Sequence, residues 1–348
     1  MPTLFFASDY MEGAHPRLLQ RLVDTNFEKT SGYGGDGYCE SAKEKIRAAC
    51  DCPDAAIYFL VGGTQTNAVL IDAFLRSYQG VLSADTGHIA LHEAGAIEAS
   101  GHKVLPLPPT DGKISAAQVE KALLDYQADA NHEHMVMPGM VYISHPTEYG
   151  TLYSKEELTA LSQVCRAHQI PLYLDGARLA YALACPESDV TLKDLAALTD
   201  AFYIGGTKCG ALFGEAVVIP SPAALPHLFT IIKQHGALLA KGRLLGIQYD
   251  ELFTDGLYET LGKPAIEGAN RIRECLRELG LPLYSENPTN QVFTILEDEK
   301  LAALGDVVEY SFWEKIDEGY TAIRLATSWA TQEEDINALL STLKTILG

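Results

Sequence analysis

The chain lacks long hydrophobic runs. No apolar stretch approaches the roughly 20 residues needed to cross a bilayer, so no membrane-spanning helix is expected. It is also poor in positive charge: 26 Lys and Arg stand against 46 Asp and Glu, a formal net charge of −20 at pH 7. So acidic a chain repels phosphate backbones and anionic headgroups, so neither nucleic acid nor membrane is expected as a partner. The start, "MPTLFFASDYMEG", has no basic n-region and no full apolar h-region, so no secretory leader is read there. The seven cysteines are odd in number and scattered, with only Cys50 and Cys52 close together. That pattern completes no disulfide framework and reads as reduced thiols in a cytoplasmic protein. No repeat of roughly 20–50 residues and no low-complexity tract is found.

A dinucleotide fingerprint is missing too. "GYGGDG", residues 32–37, matches G-x-G-x-x-G letter by letter, but polar "NFEKTS" precedes it where a strand is required. An NAD-dependent dehydrogenase is therefore disfavoured.

What is present is alternation. From 55 to 220, the strand-like runs "AAIYFLV", "GVLSAD", "HKVLPLP", "MVYISHP" and "PLYLDGAR" are separated by stretches with helical spacing. These are "TQTNAVLIDAFLRSY", "HIALHEAGAIEAS", "SAAQVEKALLDYQ" and "SKEELTALSQVCRAH", the last opened by Ser154 and Glu157 at capping-box spacing. Crossover units of this kind imply an α/β fold with a mostly parallel central sheet, whose ligands bind at the carboxyl ends of strands. Beyond about residue 221 the pattern turns to α+β. A length of 348 residues fits one large domain and a smaller one. The expected division is an N-terminal arm over 1–15, a large α/β domain over 16–240 and a small α+β domain over 241–348.

Four features fall at strand ends or the turns after them. "VGGTQTN" (61–67) puts two glycines and Thr64 at the opening of a helix, an anion cradle or simply a capped tight turn. "LYLDGAR" (172–178) delivers Asp175 to a strand end with Arg178 three residues on. A carboxylate there can keep a pyridine nitrogen protonated and an arginine can grip a carboxylate, or the two can be a surface pair. "GGTK" (205–208) sets Lys208 in a glycine-bracketed turn between two apolar runs, where a lysine is either a nucleophile of lowered pKa or a solvated turn residue. "ADTGHIALHEAG" (84–95) places His88 where a strand gives way to a helix, able to stack on a flat ring or move a proton. His88 and His92 are i, i+4, but no third ligand accompanies them, and "NHEHM" (131–135) reads as a solvated loop, so no metal site is expected. The four together suit one cofactor, pyridoxal 5′-phosphate: a phosphate cradle, a ring-stacking imidazole, an acid for the pyridine nitrogen and an amine for the aldehyde.

With those residues in place, the chain resembles the threonine aldolase and β-eliminating lyase group of fold-type I pyridoxal-phosphate enzymes. The likeness runs from "ASDY" at 7 to "IRLATSW" at 323, and "GTQTN" (63–67), "HEAGAIE" (92–98), "LDGAR" (174–178) and "TK" (207–208) carry it. The resemblance implies that Lys208 binds the cofactor covalently, Asp175 pairs with the pyridinium nitrogen and His88 stacks on the ring. It implies that Gly63 and Thr64, with the neighbouring Gln65 and Thr207, hold the cofactor. Arg178 and Arg324, with Ser8 of the arm, would bind the substrate carboxylate. Arg243 in "KGRLLG" resembles an arginine that the family lends to the phosphate across a subunit boundary, and Tyr33 lies in the stretch resembling the family's "YGDD" loop. A homo-oligomer, a dimer of dimers, is implied.

One departure bears on the reaction. Where aldolases of this family carry "ENTHN", this chain reads "YISHPTEYG", which places Glu148 at a family histidine near the substrate hydroxyl. A carboxylate can also take that proton, directly or through water. The expected activity is cleavage of a β-hydroxy-α-amino acid, of the L-threonine, L-allo-threonine or phenylserine type, to glycine and an aldehyde. The alternatives are β-elimination from a serine-like or aromatic amino acid, and a non-catalytic binding protein on the same fold.

Overall fold

Strands covered by helices on both faces must be apolar throughout. The runs around Asp175 and Lys208 come close to that condition: every residue of Leu172–Asp175, Ala201–Gly205 and Glu215–Ile219 is buried, and only Asp175, ending one strand, and Glu215, opening another, are charged. The computed structural model describes residues 4–348. In chain order its strands are β1 (Leu4–Phe5), β2 (Ala56–Leu60), β3 (Gln79–Ala84), β4 (Lys103–Leu107), β5 (Met137–Ser144), β6 (Leu172–Asp175), β7 (Ala201–Gly205) and β8 (Glu215–Ile219). There follow β9 (Leu283–Ser285), β10 (Gln291–Glu297), β11 (Val308–Glu309), β12 (Ser311–Lys315) and β13 (Tyr320–Ala326).

Among the described residues, seven strands form the central sheet in the order β2-β8-β7-β6-β5-β3-β4. Neighbouring pairs from β7 to β4 are parallel, while β8 runs antiparallel to both β7 and β2. The fold is the expected one, a mostly parallel sheet with helices packed on it. The turn from β7 into β8 is therefore a hairpin, and Lys208 rides on it at the carboxyl end of β7. The expected capping box is formed: the Ser154 Oγ accepts from the Glu157 N–H (3.1 Å), and the Glu157 carboxylate accepts from the Ser154 N–H (2.8 Å).

One expected helix is broken. Residues 88–100 form two short pieces, His88–Leu91 and Ala96–Ala99, parted where Ala94 and Gly95 take φ of 52° and 73°. Glu93 turns inward there to reach His88 Nδ1 at 2.9 Å. In one continuous helix, residues five apart point about 140° away from each other, so the contact requires the break.

The second sheet is antiparallel, β12-β13-β10-β9, and packs under the helices Lys263–Glu278 and Glu333–Leu347. β1 pairs in parallel with β11, so the N-terminal arm is stitched to the far end of the chain. Leu4 and Phe6 belong to the core of this part. The change from one core to the other falls along Lys263–Glu278: Ala265 and Ile266 join the large sheet's core, while Ala269 and Ile272 join the second. Among the described residues no helix is long and apolar enough to cross a membrane.

At the strand ends the backbones press together. A Cβ on Gly176 would lie 2.1 Å from the Tyr203 carbonyl oxygen, and one on Gly205 2.4 Å from that of Ala177. Substituting Gly176→Ala is expected to lower unfolding stability by about 3 kcal/mol, because backbone cannot move aside as a side-chain tip can. The midpoint of urea unfolding measures this, and an unchanged midpoint would show that β6 and β7 separate freely there.

Candidate active site

Asp175 ends β6 as a buried carboxylate. Its Oδ2 accepts from Tyr142 Oη (2.7 Å) and Asn67 Nδ2 (3.1 Å), and its Oδ1 from Tyr203 Oη (2.5 Å) and the Ala177 N–H (3.0 Å). Burial alone would raise its pKa, but nearby His88 and these donors outweigh it and hold the carboxyl below its ordinary value. Burial and the Asp175 charge push the Tyr142 and Tyr203 phenols well above their ordinary range, so both remain neutral donors. Asn67 also donates to Glu93 (2.7 Å) and accepts from Tyr173 Oη (2.7 Å).

Lys208 is set by the hairpin. The Gly206 and Thr207 N–H groups both donate to the Gly214 carbonyl, at 2.9 and 3.1 Å, and Tyr181 Oη donates to the Lys208 carbonyl at 2.7 Å. Its Nζ lies 5.7 Å from the centre of the Tyr10 ring. Burial first, then the Arg178 charge, lower its pKa, against the pull of Asp9, Asp175 and Glu215. The opening of Gly63–Phe74 faces the same space. Its first N–H groups have no partner within the helix, and no side chain caps it at Gly62. A Cβ on Gly63 would come within 3.0 Å of Tyr203 Oη, so the helix start is drawn tight against the strands.

These groups wall one cavity of about 290 Å³, shared by Gly63, Thr64, His88, Asp175, Lys208 and Glu215. Pyridoxal phosphate asks for free N–H groups at a helix start, an ionised carboxylate and an amine of lowered pKa. All three line this cavity, so the residues fit the cofactor. A second cavity of about 580 Å³ shares Tyr10, His88, Glu148, Arg178 and Lys208 with it and adds His92, Trp313 and Arg324. Glu148 joins the two: its Oε1 accepts from Ser144 Oγ (2.6 Å) and from the His88 N–H (2.9 Å), and burial raises its pKa.

The arginines are not equally free. Arg178 grips Asp9 through Nε (2.7 Å) and Nη2 (3.0 Å) rather than pairing with Asp175 three residues before it. Arg324 donates to Gln291 (3.0 Å), to the Ala7 carbonyl (3.1 Å) and to Ser311 Oγ (3.2 Å), and its buried Nε has no partner among the described residues. Four sequence candidates are outside both cavity walls. The arm contributes Tyr10 rather than Ser8. Gln65 turns its amide oxygen back to the Val61 N–H (3.3 Å). Arg243 donates to the Thr25 and Glu28 carbonyls, and Tyr33 is exposed in a separate cavity.

Sequence reasoning passed over Asp9, Asn67, Glu93, Glu215 and the three tyrosines. The tyrosines left a trace, since Tyr142, Tyr173 and Tyr203 each stand two residues before the end of their strand. A buried phenol needs a partner, and here the partners converge on Asp175 and Asn67.

Asp9 yields a test. Burial opposes its charge, but Arg178, Lys208 and Asn290 bring its pKa down to about 2 from an ordinary 3.8. Folding thus favours the ionised form, so its contribution is full above about pH 4 and is lost as the pH falls to 2. Asp9→Asn is expected to remove about 2 kcal/mol of that acid dependence. It should cost about 3 kcal/mol near neutrality by stranding the Arg178 charge. Urea unfolding at a series of pH values reads both effects, and parallel curves for the two proteins would refute the ion pair.

The chain is similar to known proteins over most of its length. Residues 6–299 match a family described as beta-eliminating lyase. A solved threonine aldolase from Leishmania major superposes with a TM-score of 0.96 at 42% identity, covering 99% of this chain and 100% of that one. A low specificity L-threonine aldolase of a Pseudomonas species is 28% identical over 349 residues, 99% of this chain and 98% of its own. An aspartate aminotransferase of Thermus thermophilus, at 16% identity and a TM-score of 0.73 over 100% of this chain and 97% of that one, shares the fold. The architecture is that of the fold-type I pyridoxal-phosphate enzymes, and the chain belongs to the beta-eliminating lyase family as a pyridoxal-phosphate-dependent lyase.

Proposed function

We propose that the chain is an aldolase of the threonine aldolase type, cleaving a β-hydroxy-α-amino acid to glycine and an aldehyde, with pyridoxal phosphate bound covalently at Lys208. The observation that carries this reading is the buried Lys208, which shares one cavity with Asp175 and the Gly63 helix start and opens on a second cavity lined by two arginines. When bound, pyridoxal phosphate supplies an electron sink for the bond broken at the substrate Cα.

The chain's own residues do the rest. Asp175, kept ionised, gives a pyridine nitrogen a reason to stay protonated. The Gly63 and Thr64 N–H groups would hold the phosphate, and His88, oriented by Glu93, would lie against the ring. Arg324, with its unpartnered Nε, is the first anchor for the substrate carboxylate; Arg178, held by Asp9, lies beside it. Their grip on the carboxylate would fix which bond at Cα is presented for cleavage. Glu148, with its raised pKa, is the acceptor for the β-hydroxyl proton. Seven free cysteines support a cytoplasmic setting. The exposed side chains of Val23, Phe27, Tyr33 and Phe229 support burial against a second copy of the chain. In such a homo-oligomer, Tyr33 and Arg243 are proposed to serve the neighbouring site.

Lys208→Ala is expected to lose the visible cofactor band and the covalent attachment that borohydride makes permanent in the wild type, together with roughly a thousandfold or more of turnover. Full activity in that variant would end the reading. Product analysis then decides the reaction: glycine and an aldehyde are expected, whereas ammonia and a keto acid would mean β-elimination. Glu148→Gln should lower kcat about a hundredfold with the cofactor band unchanged. An unaltered kcat would remove Glu148 from its role.

A further inference from the structure

Glu215 opens β8 and takes no part in the reading above, yet it sits in the wall of the cofactor cavity at 3% exposure. Its Oε1 accepts from Thr207 Oγ1 (2.9 Å) and its Oε2 from the Gly206 N–H (3.2 Å). The Thr207 oxygen in turn accepts the Gly214 N–H (3.0 Å). With Glu215 ionised, the one hydroxyl proton of Thr207 is therefore committed to Glu215, and none is left for a ligand. A phosphate monoester carries close to two negative charges near neutral pH. A second anion entering beside an ionised carboxylate favours protonation of that carboxylate.

We propose that Glu215 is a positioning residue for the cofactor's phosphate: with the phosphate bound its carboxyl is protonated, by a proton drawn from solvent wherever it was ionised, and the neutral carboxyl donates to the Thr207 oxygen and frees the Thr207 proton for the phosphate. The inference rests on the reading of this cavity as the pyridoxal-phosphate site.

The surroundings permit the change. Facing Glu215 are Lys208 and Cys209 from the hairpin, Asp175 and Tyr173 from β6, Tyr203 from β7, and Tyr249 and Tyr258 from the helices Arg243–Leu252 and Leu257–Thr260. The phenols and the thiol are held neutral by burial, so the charges that act on it are Lys208 and Asp175. Burial outweighs its two donors and Lys208 and raises the Glu215 pKa to about 8. The carboxyl is thus poised to gain a proton at modest free-energy cost. Because the bound form favours the protonated acid, affinity is full below that value and falls as the pH rises through it.

The test uses pyridoxine 5′-phosphate, which has the ring and the phosphate but no aldehyde to react with Lys208. Its Kd is measured from pH 7 to pH 9 for the wild type and for Glu215→Gln, whose amide can donate to Thr207 at any pH. Ionisation of the ligand's own ring affects both proteins and cancels in the ratio. The ratio of wild-type to variant Kd is expected to rise about tenfold over that range, and calorimetry in two buffers at pH 9 should count nearly one more proton taken up by the wild type. If the glutamine variant does not fold, Glu215→Ala takes its place, and its proton uptake at pH 9 is expected to fall short of the wild type's by nearly one. Superimposable pH profiles, or no proton uptake, would overturn the role of Glu215 and leave the cofactor reading standing. Failure of both proteins to bind pyridoxine 5′-phosphate and pyridoxal phosphate would overturn the cofactor reading and this inference with it.

Discussion

The interaction on which the site depends is the solvation of one buried charge. Asp175 is 5% exposed, and an ionised carboxylate removed from water persists only if polar groups of the protein replace the water. Its four hydrogen bonds come from the helix Gly63–Phe74, from β5, from β7 and from the backbone just past β6. Satisfying that carboxylate therefore fixes the relative positions of four elements. The close backbone contact at Gly176 and Gly205 follows from the same convergence, as does the break that turns Glu93 inward to meet Asn67 and His88.

Much of the fold was legible because buried parallel strands leave a dense signal, a short apolar run ending in a turn residue. Lys208, Asp175 and Gly63 were legible for a related reason. Each interrupts or ends such a run with a residue that an apolar strand would not otherwise carry. The domain division was harder to read. Prolines and a change of pattern near 221 suggested a boundary at 240, but Tyr249 and Leu252 pack into the core of the large sheet. A helix that faces two cores in succession, as Lys263–Glu278 does, keeps one amphipathic pattern throughout and gives no mark where the change occurs.

Partners remote in sequence were not legible. Arg178 stands three residues from Asp175, and local spacing favours that pairing; its partner is Asp9, 169 residues away, brought in when β1 joins β11. Glu215 was hidden differently. At the head of "EAVVI" it reads as the polar residue that commonly precedes a strand, yet β8 is buried from its first residue. Nothing in the local sequence distinguishes a carboxylate entering solvent from one entering a cavity.

Three buried carboxyls, Asp175, Glu148 and Glu215, show how one site keeps different protonation states within a few residues' reach. Burial acts on all three in the same direction, toward the neutral acid. Asp175 receives four donors and the influence of His88, and its pKa falls. Among the described residues Glu148 receives two donors, from Ser144 and the His88 backbone, and Glu215 two, from Thr207 and the Gly206 backbone; both are raised. The influence of His88 and the number of donors, more than depth, thus decide which carboxyl remains an anion and which can exchange a proton. That ordering matches the work proposed for each. The permanent charge sits where a pyridinium nitrogen needs a counter-ion, and the exchangeable protons sit where a hydroxyl and a phosphate would ask for them.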